Sequence, residues 1–189
     1  MPPFVNTGLQ FETPRLTLRP FTAEDLHDFN AYASVPGVGE AAGWPHHKSL
    51  EESKKILDMF IEQKANLSLW HKADGKVIGS LGLHKSWTDE LDDYKHLSAY
   101  EMGYVLSKDY WGQGLVVEAA RTVIGYLFDE LKLDAISICH FQENAQSRRV
   151  IEKLGFEFIM EDVYYSKQMD KEFDDMKYLM LAGGWRLAV

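Results

Sequence analysis

The sequence predicts an α/β fold built on a single mixed, mostly antiparallel central sheet flanked by helices. Three observations predict it. Short segments with period-two alternation recur along the chain, and two of them flank an Asp-Gly pair, a strong hairpin signal. Two helical segments carrying capping residues follow the first strand. Later, a glycine turn joins a Tyr- and Val-rich strand to a long amphipathic helix and then to another strand, the order of a βαβ step.

Thr13 to Pro20 alternates Leu16 and Leu18 with Arg15, Thr17 and Arg19, the period of a half-buried strand. Thr22 caps a helix over Ala23–Ser34, with Glu24 and Asp25 in its first turn. Val35–His47 is rich in Gly and Pro and reads as a loop. Ser49 and Glu52 form a capping box for a second helix reaching Ala65, with an apolar stripe of Ile56, Leu57, Phe60 and Ile61. LSLWHK and KVIGSLGLH make the hairpin around Ala73-Asp74-Gly75. Ser86–Leu97 is polar and reads as a surface excursion; AYEMGYVLS is a strand. After the turn DYWGQG, a helix runs from Leu115 to Leu131 on a stripe of Val116, Val117, Ala120, Val123, Ile124, Leu127 and Leu131. AISICHF is a strand, Gln146–Leu154 a short helix closed by Gly155, and Phe156–Ser166 and Met176–Ala182 are two last strands. No repeat or linker divides residues 1–189, so one domain is expected.

Composition excludes some functions. A formal net charge of −9 argues against a general nucleic-acid binder, which needs a basic face, and is compatible with an amine-bearing substrate. No apolar run approaches the roughly 20 residues of a membrane helix, and the first residues lack the pattern of a secretory signal. The single cysteine, Cys139, rules out an internal disulfide and fits a reducing compartment; a cytoplasmic protein is expected. His46, His47, His71, His84 and His96 show no metal-ligand spacing with Cys139 or one another, so no metal is expected, and Cys139 has no evident base to make it a nucleophile.

Tyr104–Ala120 carries the most information. A strand ends, Gly112 and Gly114 follow, and a long helix begins. Glycines let backbone approach an anion, and a helix N-terminus offers free N–H groups and partial positive charge, so this is a pyrophosphate cradle or an unliganded tight turn. A Walker loop would need Gly-Lys-Ser/Thr, and a dinucleotide fingerprint a third glycine and an acidic residue closing the next strand; here that strand closes on His140-Phe141-Gln142.

YWGQG before an apolar helix with VVEAA, followed some thirty residues on by NAQSRRVIEKLGF, resembles the GNAT superfamily of N-acetyltransferases. The opening ETPRLTLRPFTAEDL is similar to its RimJ/RimL branch, which acetylates ribosomal-protein N-termini. The resemblance spans a core of about 11–181 and implies the acyl-CoA N-acyltransferase fold and acetyl-CoA as cosubstrate. The superfamily's loop pattern falls on Trp111, Gly112, Gln113, Gly114, Leu115 and Val116, with Val116 departing from the usual small residue. The backbone of Tyr104, Val105 and Leu106 is implied to receive the thioester carbonyl oxygen, and Asn144 and Ser147 to lie along the pantetheine arm. Many members place a tyrosine, the acid for the leaving thiolate, seven residues after that Asn; here Ile151 stands there, which leaves Ser147 as the nearest hydroxyl. Arg148 and Arg149 form a solvated face or touch a phosphate.

Transfer to an amine needs a neutral nucleophile. Glu101 is the candidate base and His140 the runner-up. The expected reaction is direct attack of a primary amine, a peptide N-terminus or a small amine, on the thioester, with Glu101 and Ser147 catalytic. The acceptor pocket is expected among Val35–His47 and the strands after Gly155, with Trp44, Tyr164 and Tyr165 as walls. A homodimer is compatible with this reading. The alternative is a non-catalytic acetyl-CoA or CoA sensor.

Overall fold

Eight strands form one sheet in the computed structural model, which describes residues 1–185. The strands are β1 (Phe11–Glu12), β2 (Leu16–Pro20), β3 (Asn66–His71), β4 (Lys76–Lys85), β5 (Ala99–Leu106), β6 (Ala135–Phe141), β7 (Glu157–Ser166) and β8 (Lys171–Leu181). The helices are α1 (Leu26–Ala33), α2 (Leu50–Gln63), α3 (Leu115–Asp129), α4 (Ala145–Leu154) and α5 (Ala182–Trp185). The spatial order is β1-β2-β3-β4-β5-β6-β8-β7. The chain crosses through α3 between β5 and β6, and these two strands are parallel; the other pairs are antiparallel.

The β5–β6 pairing is short. It runs from Ala99 opposite Ala135 to Glu101 opposite Ser137 and stops. Beyond it β5 stays paired with β4 as far as Leu106, while β6 stays paired with β8 as far as Phe141. The sheet therefore opens into two diverging halves at its centre.

Alternation along β5 sends its side chains to two separate cores. Met102 and Leu106 join the apolar stripe of α3 (Val123, Ile124, Leu127) and Ile151 and Leu154 of α4. Val105 packs on the opposite face, against the cluster of Phe29, Tyr32 and Leu57 from α1 and α2. Each face of the opening thus has its own hydrophobic wall.

The structure departs from expectation where packing overrides local pattern. The first strand is a small hairpin of β1 and β2, and the first helix begins as a 3-10 turn over Ala23–Asp25 before α1. The helix α2 ends at Gln63, with Lys64 in the left-handed region at φ 55°. The helix α3 stops at Asp129, so Leu131 is exposed; Leu133 takes the buried place beyond it. Ser86–Leu97 is not a simple surface excursion: Trp87 is buried, and the buried hydroxyls of Ser86, Thr88 and Ser137 form a chain at 2.7 and 2.8 Å. The strand β8 begins five residues before Met176, because the hairpin partner β7 pairs all the way down to Lys171.

One carboxylate joins the N-terminal hairpin to the start of α3. Glu118 Oε1 accepts from Thr13 Oγ1 (2.6 Å) and the Arg15 backbone N–H (2.9 Å), and Glu118 Oε2 pairs with Arg15 Nε at 2.7 Å. Partial burial pushes this carboxyl up, but Thr13 and Arg15 together hold it below its ordinary value. A depressed folded pKa adds stability that is present above the unfolded value, about 4.3, and is lost as pH falls through the folded one. Glu118→Ala is expected to cost about 1–2 kcal/mol at pH 7. Denaturant unfolding at pH 7 and at successively lower pH checks this, since the gap between wild type and variant should narrow as pH falls.

Candidate active site

The opening between β5 and β6 is the head of a cavity of about 1230 Å³ that passes between the two faces of the sheet. On one side it is lined by the turn before α3 and by α4. On the other it is lined by α1, α2 and the Val35–His47 loop.

The glycine turn sits at the first of these sides. Gly112 and Gly114 have φ of 75° and 76°, the left-handed region that favours glycine. No side chain caps α3 at Gly114, so its first N–H groups face outward without intrahelical partners. A Cβ on Gly112 would meet nothing within 4 Å, and one on Gly114 only Arg15 Nη2 at 3.9 Å. The turn is braced from behind: Trp111 Nε1 donates to the Leu106 carbonyl (2.8 Å), Gln113 Nε2 to the Asp109 carbonyl (3.2 Å), and Arg15 Nη1 to the Gln113 carbonyl (3.0 Å). Leu115 and Val116 turn their side chains into the core, so Val116 leaves the backbone open rather than crowding it. Open space, uncapped N–H groups and positive φ fit a bound diphosphate. Beside the turn, the β5 edge at Tyr104, Val105 and Leu106 has no strand partner on the β6 side. Arg149 and Lys153 stand on the cavity lining, while Arg148 pairs outward with Glu152 at 2.8 Å.

Asn144 is the N-cap of α4. Its Oδ1 accepts from the Ser147 N–H (3.0 Å), and its Nδ2 donates to the Ala41 carbonyl (3.2 Å). Most of its bonding is therefore structural, and one amide hydrogen remains for a ligand. Ser147 is buried on the first turn of α4 and lines the cavity. Its hydroxyl lies 2.7 Å from the hydroxyl of Tyr104 on β5. Ile151 is wholly buried.

Glu101 faces the other side of the sheet, since residues three apart on a strand point oppositely. It is half-buried where pairing with β6 ends, with Cys139 Sγ 3.8 Å from its Oε1. Burial, and then the charge of Asp175, raise its pKa to about 7, against the smaller opposing pull of Lys177 and a backbone hydrogen bond from Trp87. Burial also lifts the Cys139 thiol well above its ordinary value, so it stays protonated and inert. Both ring nitrogens of His140 are engaged: Nδ1 lies 2.8 Å from the Phe141 carbonyl and Nε2 3.1 Å from Tyr178 Oη. His84, paired opposite Glu101, is held toward its neutral form by its surroundings.

Trp44 and Tyr164 line the cavity, with Tyr164 stacked on Phe141. Tyr165 does not: it points to the opposite face of β7, half exposed, and its hydroxyl bonds Asp170. Sequence reasoning used only the backbone of Tyr104 and missed its hydroxyl. It also missed Asp175 and Lys177, which β8 brings beside Glu101. Their registry becomes readable only once β8 is known to pair with β6, with Lys177 opposite Cys139.

Comparison with known proteins shows the family and the fold. Residues 15–157 match the family model described as "Acetyltransferase (GNAT) domain". The chain is 30% identical to the uncharacterized N-acetyltransferase YoaA of Bacillus subtilis (strain 168), across 77% of this chain and 81% of that protein. It is 36% identical to the "Putative ribosomal N-acetyltransferase YdaF" of the same organism, across 44% of this chain but only 42% of that protein. The crystal structure of a GNAT-family acetyltransferase from Bacillus anthracis superimposes with a TM-score of 0.80 at 22% identity, covering 93% of this chain and 99% of that one, which shows the shared fold.

Saturating acetyl-CoA, at 100 times its dissociation constant, should add about 2.7 kcal/mol, or very roughly 5–10 °C in Tm. Gly114→Val places a β-branched residue at positive φ and a side chain over the cradle. We expect it to remove that thermal shift while leaving a folded protein. Thermal melts with and without acetyl-CoA check both, and an undiminished shift in the folded variant would put the cradle elsewhere.

Proposed function

Because the chain belongs to the GNAT acetyltransferase family and is an N-acetyltransferase, we propose that it moves the acetyl group of acetyl-CoA to α-amino groups, of peptides or of small amines, in preference to lysine side chains. The family implies acetyl-CoA as the donor. We assign its diphosphate to the backbone of Gly112–Val116, its pantetheine arm to the free edge of β5 and to Asn144, and its sulfur to the neighbourhood of Ser147. Acetylation of a ribosomal-protein N-terminus is one form of this activity, supported by the name of the partial relative YdaF.

The observation that carries the acceptor class is the carboxylate at the opening. Glu101 titrates near 7 on the side away from the glycine turn. A free α-amine has a pKa of about 7.7–8.0 and lysine about 10.4. Proton transfer from an α-ammonium to Glu101 is therefore uphill by about one unit, and from lysine by more than three. Efficiency in general base catalysis favours the matched pair. Beside Glu101, the cations of the cavity lining are already paired with carboxylates: Lys177 with Asp162 at 2.7 Å and Lys85 with Glu90 at 4.0 Å.

The chain's own residues then divide the work. Glu101 takes the amine proton, directly or through water. Backbone N–H groups of the β5 edge supply positive dipoles to the thioester oxygen. Ser147 donates to the departing sulfur. Placing base and hydroxyl on opposite faces of β5 lets the amine enter from one side and the thiol leave from the other.

The acceptor claim is tested with acetylated and free peptides. Free N-termini should be acetylated faster than blocked peptides that offer only lysine, and the reverse order would overturn it. The base claim makes a separate prediction for Glu101→Gln. Wild-type kcat/KM should rise through an ionisation near pH 7 and stop rising before the pKa of the amine is reached. The variant should keep only the amine limb, with its largest deficit between the two. Because the folded pKa of Glu101 is raised, ionising it costs stability: its contribution is full below the unfolded pKa and fades as pH rises through about 7. Glu101→Gln should therefore melt higher than wild type at pH 8 while turning over more slowly. An unchanged pH–rate profile would remove Glu101 from the reaction.

A further inference from the structure

We infer that Tyr104 is a positioning residue that presents the Ser147 hydroxyl to the leaving sulfur, an inference that rests on the proposed role of Ser147.

The geometry begins with what Ser147 lacks. A serine inside a helix commonly turns its hydroxyl back to the carbonyl four residues earlier. Here the only side-chain partner of Ser147 Oγ among the described residues is Tyr104 Oη, at 2.7 Å. The two hydroxyls come from different elements, β5 and the first turn of α4, and both residues line the cavity on the side of the glycine turn. Ser147 is held from behind, since Asn144 Oδ1 fixes its backbone N–H. Tyr104 reaches it across the opening of the sheet.

A hydroxyl has one proton to donate and two lone pairs with which to accept. Between a phenol and an aliphatic alcohol, the phenol is the better donor and the alcohol the better acceptor. Tyr104 therefore donates to Ser147 Oγ. In the opposite arrangement the Tyr104 proton would have only the Ser147 carbonyl, 3.4 Å away and too long for a good O–H···O bond. With the Tyr104 proton spent on Ser147 Oγ, the Ser147 proton is free to point into the cavity. Burial raises the Tyr104 pKa, which keeps the phenol protonated and the direction of donation fixed at neutral pH. The position seven residues after Asn144 is Ile151, packed into the core, so no hydroxyl comes from there.

The step balances simply. The acceptor's ammonium first gives one proton to Glu101, which passes it to water; the neutral nitrogen then forms the new C–N bond and gives its second proton to Glu101. The C–S bond breaks and its electron pair passes to sulfur. Ser147 O–H donates a hydrogen bond to that charge while Tyr104 O–H donates to Ser147. The thiol takes its final proton from water as it leaves, matching the one Glu101 returns to water. Neither hydroxyl is consumed.

The test compares Tyr104→Phe, Ser147→Ala and the double variant. Two donors are used: acetyl-CoA, and the acetyl thioester of 4-nitrothiophenol, whose thiolate leaves without assistance. Thermal melts confirm that each variant is folded. With acetyl-CoA each single change should lower kcat by about tenfold or more with little change in KM, and the double variant should fall no further than the worse single. With the aromatic thioester the variants should approach wild type, a rescue that a purely structural role would not give. Loss of kcat in Ser147→Ala but not in Tyr104→Phe leaves the role of Ser147 standing and overturns the inference about Tyr104. No loss in Ser147→Ala overturns both. Additive losses, or losses equal for the two donors, overturn the inference by showing that Tyr104 does not act through Ser147 on the leaving group.

Discussion

Everything at this site depends on three residue pairs. The parallel ladder between β5 and β6 runs only from Ala99–Ala135 to Glu101–Ser137. A continuous ladder would satisfy every backbone group along β5 and leave no passage through the sheet. Instead each strand keeps its outer partner and loses its inner one. The divergence is held by packing on both sides. Ile151 and Leu154 of α4 sit in the core beneath it, and on the other face Phe141 stacks between Phe173 and Tyr164. Unpaired backbone beside a cavity is costly unless something bonds to it. Here the free edge of β5 opens onto the cavity, where water or a ligand can meet that requirement.

The same break gives one strand two chemistries. Glu101 and Tyr104 lie on opposite faces of β5, one against Asp175 and Cys139, the other against Ser147. A carboxylate brought near 7 by burial is a liability for folding and an asset for taking a proton from an amine. A phenol pushed upward by burial is useful for the opposite reason, because it remains a donor. Strand alternation keeps the two environments separate, so each group is tuned without neutralising the other.

Much of this was legible in the sequence because it is local. The capping residue Ser49, the Asp-Gly hairpin and the stripe of α3 are all short-range patterns, and the structure bears them out. The positive φ at Gly112 and Gly114 follows from the residue type. The rest was hidden because it is made by register between distant segments. Nothing near Glu101 in sequence announces Asp175, which arrives only because β8 inserts between β6 and β7. Nor does the alternation of AYEMGYVL reveal that Tyr104 meets a hydroxyl 43 residues away. Leu131 failed for a simpler reason: it continued the stripe, but the helix ended two residues before it. The polar Ser86–Leu97 stretch misled because its few buried groups, Trp87 and the Ser86–Thr88 hydroxyls, anchor it.

The two sides of the cavity are also joined by hydrogen bonds. The Val35–His47 loop is a connection long enough to move, yet it is tied down at separated points. Asn144 donates to the Ala41 carbonyl, Ser166 to the Gly43 carbonyl at 2.7 Å, and Lys108, just before the glycine turn, to the Pro36 carbonyl. Asn144 matters most, because the same side chain caps α4 and fixes the Ser147 N–H. The N-cap of α4 and the Val35–His47 loop thus share one side chain, which bonds the Ser147 N–H on one side and the Ala41 carbonyl on the other. Such a shared amide couples the two halves of the cavity through two hydrogen bonds, each worth about 1 kcal/mol. That is small beside the stability of the fold, but on the scale of the tenfold changes that separate a well-aligned amine from a poorly aligned one.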